Sequence, residues 1–310
     1  MTASTSPSHS DRVLPGVALM IGFCAVAPLI DVAAKIASQE VTVTQVVVLR
    51  VLVQTALMLP IVLIMRQSLR LTGRQLGWQA LRAAFLIGST YAFVGAVQVM
   101  PIADALAIAF VEPFVILALG SLLLGDQVGW RRITAALVGF GGAMLVIQPN
   151  FARFGVVALY PLGTALCFAL YMLTTRHISR QFKPEAMQFH TAWVGSVLMV
   201  PILLLGWGGE IQTLSLRSAE PAIWGWLVGV GVAATVSHLM ITYALRFAPS
   251  ATLAPLHYLE IVAAVFFGWV FFADWPNTMS WAGITVIALS GLYVIARERQ
   301  LARQARQSTR

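Results

Sequence analysis

Long apolar stretches alternate with short polar connections along almost the whole chain. Ten of these stretches approach the ~20 residues that a helix needs to cross the ~30 Å hydrocarbon core of a bilayer. The pattern therefore predicts an all-α integral membrane protein with ten transmembrane helices, numbered here as spans 1 to 10. Their predicted bounds are Leu14–Ile36, Thr42–Met65, Trp78–Val97, Ile102–Leu124, Ile133–Ile147, Gly155–Thr174, Ala186–Leu205, Ile223–Leu245, Ala251–Phe272 and Trp281–Ile295.

One predicted span occurs twice in diverged form. The stretch Pro101–Asp126 superimposes without a gap on Pro249–Asp274, at a constant offset of 148 residues. Each copy has a glutamate about eleven residues from its start, Glu112 in the first and Glu260 in the second. At ~1.5 Å per residue this depth is roughly 16 Å, which is near the middle of the bilayer. Two acids at matched depth are the first candidates for a functional site.

The repeat extends to other spans. Leu57–Ile61 in span 2 resembles Leu198–Ile202 in span 7 at an offset of 141 residues, and the extra residues of the second copy are expected in the loop Glu210–Pro221. Each copy holds five spans. Because that number is odd, the copies are expected to insert in opposite orientations, as two inverted five-helix repeats. The predicted organisation is a cytoplasmic tail at 1–13, a first repeat at 14–148, a second repeat at 149–296 and a basic cytoplasmic tail at 297–310.

The composition and the distribution of charge are those expected of an integral membrane protein. The 310 residues are 59% hydrophobic and only 10% charged, with a mean hydropathy of +0.82, whereas soluble domains carry about 25% charged residues. The net charge of +8 is attributed to the lipid bilayer and not to a nucleic-acid partner, because Lys and Arg are retained on the cytoplasmic side of spans. With both termini in the cytoplasm, that side holds sixteen of the 20 basic residues: Arg12, Arg66, Arg70, Arg74, Arg82, Arg131, Arg132, Arg176, Arg180, Lys183, Arg246, Arg297, Arg299, Arg303, Arg306 and Arg310.

Several features of the repeat resemble the ten-helix EamA-type members of the drug/metabolite transporter superfamily. The resemblance covers about residues 16–297. It rests on the doubled five-span unit, on a glycine-then-acid pattern at the end of each fourth helix, and on glycine-rich fifth helices. The residues concerned are Gly120 with Asp126, Gly268 with Asp274, and Gly139, Gly141, Gly142 and Gly291.

The resemblance implies a multi-pass carrier of a small organic solute in a bacterial-type cytoplasmic (inner) membrane. It implies a central cavity lined largely by helices three, four, eight and nine. The family includes exporters of amino acids and metabolites as well as importers of riboflavin and of S-adenosylmethionine. Family members more usually have Glu at the ends of the fourth helices, and the interfacial Asp126 and Asp274 are expected to have a structural role.

Glu112 and Glu260 are the main candidates for function. An isolated charge at the bilayer centre costs several kcal/mol or changes its protonation state. We expect at least one of the two to couple transport to protons or to contact a cationic substrate group; the alternative is a protonated packing residue. His257, one helical turn before Glu260, is the expected titrating partner. Tyr258 and Tyr91 are candidates for lining a cavity for a planar ligand, although their spacing equally suits packing.

A second group of charges lies toward the outer end of the first repeat. Asp31 and Lys35 are four residues apart in span 1 and can therefore pair locally. Arg50 in span 2 and Asp104 in span 4 lie at a similar level. Two interpretations stay open. The four residues form either a neutral network that fixes the three spans, or an outer gate or anion-binding group with Arg50 as the unpaired donor.

The remaining chemistry-bearing residues indicate no metal site and no cofactor. His190, His238 and His257 fall in the inner half of the second repeat, but none is accompanied by a second ligand at metal-binding spacing. Cys24 and Cys167 lie within apolar spans and are interpreted as packing residues.

These features predict a secondary active transporter that rocks one repeat against the other around a site between Glu112 and Glu260. The acids favour a substrate with an amino group, such as an amino-acid-like compound or its derivative. The aromatic residues favour the alternative, uptake of a planar vitamin or cofactor such as riboflavin or S-adenosylmethionine. The energy would come from a proton gradient or from the substrate's own gradient. An integral-membrane enzyme is a distant alternative, because the sequence has no clustered His/Asp motifs.

Overall fold

The computed structural model describes residues 13–99, 102–126, 128–148, 155–206, 214–273 and 275–308, so Asp274 and residues 1–12 lie outside the described ranges. Within these ranges the regular secondary structure is helical. Ten helical segments are long and apolar enough to cross a membrane, which confirms the predicted number. Spans 1 to 10 are Val13–Ala37, Val43–Ile64, Gly73–Val99, Ala105–Leu124, Trp130–Ile147, Gly155–Ile178, Pro184–Leu205, Pro221–Phe247, Ser250–Phe272 and Thr278–Leu301.

Three spans are interrupted within the bundle, and each interruption lies next to a proline. Pro28, Pro113 and Pro255 lack the N–H group that would continue the backbone hydrogen bonding of a helix. The second pieces of spans 4 and 9 therefore begin deep inside the protein, close to the two glutamates. The pieces are Val13–Val26 and Pro28–Ala37 in span 1, Ile102–Ala109 and Glu112–Leu124 in span 4, and Ser250–Leu253, a 3-10 turn at Ala254–Tyr258 and Leu259–Phe272 in span 9.

The bounds of the helices follow the same offsets as the sequence repeat. Span 3, Gly73–Val99, and span 8, Pro221–Phe247, begin and end 148 residues apart. Span 2, Val43–Ile64, and span 7, Pro184–Leu205, begin and end 141 residues apart. A residue in one half can therefore be assigned an equivalent in the other half by counting along the chain.

Arg82 is one of the sixteen basic residues that the charge count places on the cytoplasmic side. Its side chain is fully buried within span 3. The guanidinium donates to Thr175 Oγ1 at 2.7 Å, to the Tyr171 hydroxyl at 2.7 Å and to Thr242 Oγ1 at 3.0 Å, and it also bonds Thr191. These partners lie in spans 6, 7 and 8, so Arg82 joins four spans. Position along the chain places Arg82 near the start of span 3 but does not show that its side chain turns into the bundle.

Asp126 connects the two halves of the protein. Its Oδ2 accepts a hydrogen bond from the Ser250 hydroxyl and another from the backbone N–H of Ala251 at 3.3 Å. The carboxylate at the end of span 4 thus caps the start of span 9, where the first N–H groups of a helix have no partner within the helix. This contact is structural, as the resemblance implied for Asp126.

Spans 5 and 10 cross at a pair of glycines. A Cβ atom added to Gly283 would lie 2.6 Å from the carbonyl oxygen of Gly142 and 2.8 Å from the backbone nitrogen of Val146. Neither backbone atom can move without shifting a helix. The two spans can therefore approach this closely only because both positions lack a side chain.

We expect Gly283→Ala to lower the thermal unfolding midpoint of the purified protein by several degrees. The added methyl group overpacks the crossing, and overpacking of this kind costs about 1–3 kcal/mol. The measurement is thermal unfolding in a single detergent, followed by tryptophan fluorescence.

Gly141→Ala is the matched control on the same helix as Gly142. A Cβ atom at Gly141 meets nothing within 4 Å, so the substitution should leave the midpoint unchanged or raise it slightly through helix propensity. Equal midpoints for the two variants would contradict the close crossing.

Candidate functional site

A central cavity of about 110 Å³ lies between the spans, which is room for several water molecules. Its walls come from spans 1, 2, 3, 4, 6, 8 and 9. The resemblance implied walls made largely of spans 3, 4, 8 and 9, and the structure adds spans 1, 2 and 6. Span 1 contributes on both sides of its break, with Phe23 and Ala27 before Pro28 and with Asp31 after it.

Aromatic rings form much of the apolar wall. Phe23, Phe93, Phe110 and Phe168 all line the cavity. Phe168 stacks against the ring of His257 with centroids 5.8 Å apart and an interplanar angle of 29°. Phe23 lies 5.4 Å from the same ring. The cavity therefore has flat apolar surfaces on which another planar ring can stack.

His257 brings the two candidate glutamates together. Its Nε2 lies 2.9 Å from Oε2 of Glu260, and its Nδ1 lies 3.2 Å from Oε1 of Glu112. The second contact is within ion-pair distance but is not aligned as a hydrogen bond. His257 and Glu112 are buried, Glu260 is partly buried, and all three side chains line the cavity. The three side chains therefore form one cluster, with an imidazole between two carboxylates.

The backbone favours carboxylates at these two positions. Glu112 and Glu260 lie in the first turns of the second pieces of spans 4 and 9. A helix start carries a partial positive charge, which stabilises a carboxylate. The proline-associated breaks thus offset part of the cost of placing two acids deep in the bundle.

Arg50 lies on another wall of the cavity and is buried. Its guanidinium donates to Thr90 Oγ1 at 2.6 Å and lies 2.8 Å from Nε2 of His238. His238 Nδ1 in turn lies 2.9 Å from the hydroxyl of Tyr171. Arg50 is therefore held by neutral partners in spans 3 and 8, and among the described residues no carboxylate lies within ion-pair distance of it.

The expected pair of Asp31 and Lys35 is not formed within the described part of the chain. The Lys35 ammonium lies over the ring of Phe272, 4.2 Å from its centroid. Both Asp31 and Lys35 line a second cavity of about 290 Å³ beside span 9. Asp31 also lines the central cavity. Spacing of four residues brings two side chains to one face but does not fix their contact. The side chain of Asp104 lies outside the described residues.

The two candidate tyrosines do not line the central cavity. Tyr91 shares a hydrogen bond of 2.6 Å with Thr44. Tyr258 is buried and donates to the carbonyl oxygen of Phe110 at 3.1 Å. Both hydroxyls therefore satisfy packing contacts between spans, which corresponds to the packing alternative.

Sequence reasoning noted the buried histidines without finding the partners of His238. The repeat contained a usable signal, because His238 lies 148 residues after Thr90 and both side chains contact Arg50. No comparable signal existed for Phe23 or Phe168, because the sequence does not show which helix face meets the cavity. His190 is separate from this site and accepts a hydrogen bond from Trp193 at 2.9 Å.

Comparison with known proteins gives consistent matches. The sequence model of the EamA-like transporter family matches residues 14–148 and again residues 154–297. The riboflavin transporter of Brucella anthropi is 25% identical over 92% of this chain and 100% of its own. The pseudopaline exporter CntI of Pseudomonas aeruginosa is 24% identical over 90% and 95%, respectively. The S-adenosylmethionine uptake transporter of Rickettsia prowazekii is 22% identical over 71% and 72%.

A crystal structure of another protein shares the fold. It has a TM-score of 0.70 and 19% sequence identity, and the match covers 93% of this chain and 98% of the other. The family match spans both halves, and the relatives above are transporters and not enzymes. With ten apolar helices and bacterial relatives, the protein is a multi-pass inner-membrane transporter of a small molecule. The chain belongs to the EamA-like transporter family.

Proposed function

We propose that the protein takes up a planar heteroaromatic vitamin or cofactor by alternating access, with riboflavin as the first ligand to test. This proposal reverses the order favoured by the sequence, which put an amino-acid-like substrate first. The observation that carries it is the phenylalanine-walled cavity around His257. Several relatives named as riboflavin transporters, from Brucella anthropi, Rhizobium johnstonii and Vibrio cholerae, support the choice of ligand.

The chemistry of the cavity suits a flat ring with a polar edge. An isoalloxazine ring can stack on the phenyl and imidazole surfaces, as aromatic rings do in protein sites. Its carbonyl oxygens match the guanidinium of Arg50 as a donor, and its ring N–H and ribityl hydroxyls match acceptors such as Glu112 and Glu260. A second cavity shares Leu106 and Phe110 as walls, so movement of these two side chains would enlarge the space for a three-ring ligand.

S-adenosylmethionine is the second candidate, because three carboxylates line the cavity against one guanidinium. Its sulfonium and ammonium groups would be attracted by Asp31, Glu112 and Glu260, and its carboxylate by Arg50. Its adenine ring could stack on the same phenylalanines. A relative from Rickettsia prowazekii is named as a transporter of this cofactor.

The central cavity lies toward one end of the bundle. The cavity draws on the second halves of spans 1 and 3 and the first halves of spans 6 and 8, with Asp31, Val94, Thr164 and Val230 as examples. At the opposite end the bundle is packed around Arg82. With both termini in the cytoplasm and the halves inverted, as we propose, the cavity end faces away from the cytoplasm, and the structure corresponds to the outward-facing state of the transport cycle.

We also propose that Glu112, His257 and Glu260 carry the coupling proton. An imidazole between two carboxylates gives the site a charge that changes with each proton bound. Binding a proton makes the site less negative before access switches to the other side of the membrane. The smaller charge lowers the electrostatic free-energy cost of enclosing the site in a low-dielectric environment.

We expect riboflavin to raise the unfolding midpoint of the purified protein and to lose fluorescence on binding. Phe168→Ala should weaken this binding about tenfold, because one aromatic stacking contact contributes about 1–1.5 kcal/mol. Phe266→Ala is the matched control, since Phe266 is exposed on the lipid-facing surface and its loss should leave affinity unchanged.

Parallel titration with S-adenosylmethionine separates the two candidate ligands. Stabilisation by riboflavin alone supports the first proposal, and stabilisation by S-adenosylmethionine alone supports the second. If neither compound changes the midpoint of a folded sample, both ligand assignments are wrong.

We expect Glu112→Gln to abolish accumulation driven by a proton gradient in proteoliposomes. Exchange of labelled for unlabelled substrate across the membrane should continue, because that reaction needs no net proton movement. Glu220→Gln is the control, because Glu220 is exposed just before span 8, outside the cavity. Loss of exchange and accumulation together would indicate a binding role for Glu112, and unchanged accumulation would remove it from the proton path.

A further inference from the structure

The offsets between the two halves divide the cavity residues into two classes. In the first class, a residue and its equivalent both line the cavity. Thr90 and His238 are one such pair, and Glu112 and Glu260 are another, each separated by 148 residues. When both a residue and its equivalent line the cavity, the two residues lie near the middle of the bundle, where the two repeats meet.

In the second class, one residue lines the cavity and its equivalent is buried at the packed end. Val230 corresponds to Arg82, Val94 to Thr242 and Phe93 to Ile241, again at an offset of 148. The first member of each pair lines the cavity. The second members have exposed fractions of 0%. The packed end therefore consists of the equivalents of the residues that line the open end.

We infer that the cluster around Arg82 is the closed half of the transport path, and that Arg82 lines a second cavity when the protein faces the other way. In that state Val94 and Val230 would close the end that is now open. The inference deepens the proposed alternating access and rests on it, but it does not depend on which solute is carried. In the state that faces the other way, Arg82 is the cation that contacts the substrate, at the end of the bundle that is closed in this structure.

The chemistry of the cluster suits a closure that can open. Within the described residues, the hydrogen-bond acceptors of Arg82 are hydroxyl, amide and carbonyl oxygens, such as those of Thr175 and Gln188, and none is a carboxylate. A buried guanidinium whose charge is balanced by no acid is held less firmly than one in an ion pair. Water entering from that side would solvate it, so opening regains hydration that packing has removed.

A chain of contacts links the closed end to the cavity. Arg82 donates to the Tyr171 hydroxyl at 2.7 Å, this hydroxyl lies 2.9 Å from Nδ1 of His238, and Nε2 of His238 lies 2.8 Å from the guanidinium of Arg50. A ligand that engages Arg50 or His238 therefore competes with a contact that reaches Arg82. Binding in the cavity would in this way loosen the closed end.

The test measures how fast N-ethylmaleimide labels single cysteines in membranes, without any substrate. In a background with Cys24→Ala and Cys167→Ala, Ile241→Cys reports on the closed half and Phe93→Cys on the open half. Arg82→Ala removes the charge-assisted hydrogen bonds of the closed half. We expect it to raise labelling of the Ile241 reporter about tenfold and to lower labelling of the Phe93 reporter.

The two labelling rates are expected to change in opposite directions. This distinguishes a switch of the open end from a general loosening of the helix bundle, which would raise both rates. A rise at both reporters, or no change at either, would overturn the inference. Ala136→Cys is buried in span 5, outside the proposed path, and should stay unlabelled throughout. Arg70→Ala, in an exposed loop, is the control for loss of an arginine.

Tyr171→Phe provides a second test if Arg82→Ala gives no folded protein. It removes only the hydroxyl that joins Arg82 to His238. Labelling should shift in the same two directions by a smaller factor, and a reporter pair unchanged by Tyr171→Phe in folded protein would count against the inference. Because the assay uses no ligand, a wrong choice of riboflavin leaves its outcome unaffected.

Discussion

Every polar group inside this bundle must find its partner within the protein, because hydrocarbon offers none. That constraint explains the main features of the site. The breaks in spans 4 and 9 leave helix starts inside the bundle, and the carboxylates of Glu112 and Glu260 lie in those first turns. His257, three residues before Glu260, lies within ion-pair distance of both glutamates. The two helix starts, the two acids and the imidazole therefore lie together inside the bundle.

The two buried arginines satisfy this constraint to different extents. Arg82 is surrounded by acceptors and closes one end of the bundle, whereas Arg50 has fewer partners and faces a cavity. Arg50 keeps its Nε buried without a partner among the described groups. Tyr171 and His238 lie between the two guanidiniums. A polar chain through the core thus connects a fully satisfied cation with one that still has capacity for a ligand.

The sequence predicted the number of spans, the offsets of the repeat and the glutamate pair, because each depends on position along the chain. It did not predict which side chains meet, because that depends on the rotation of every helix. The charge count included Arg82 among the cytoplasmic residues, but it did not show that this side chain is buried against three other spans. Lys35 lies over Phe272 and not beside Asp31, because an aromatic face competes with a carboxylate four residues away.

The contacts of His257 also bear on the choice of substrate. Two isolated acids would attract the ammonium of an amino-acid-like solute, which was the basis for that expectation. In the structure the two carboxylates already have a cation-capable partner between them, so part of their field is compensated before any ligand arrives. The rings of Phe23 and Phe168 flank the same imidazole and remain on the cavity wall. The compensation of two of the three acids and the flat apolar surface beside them together support our proposal of a planar ligand over an aliphatic ammonium.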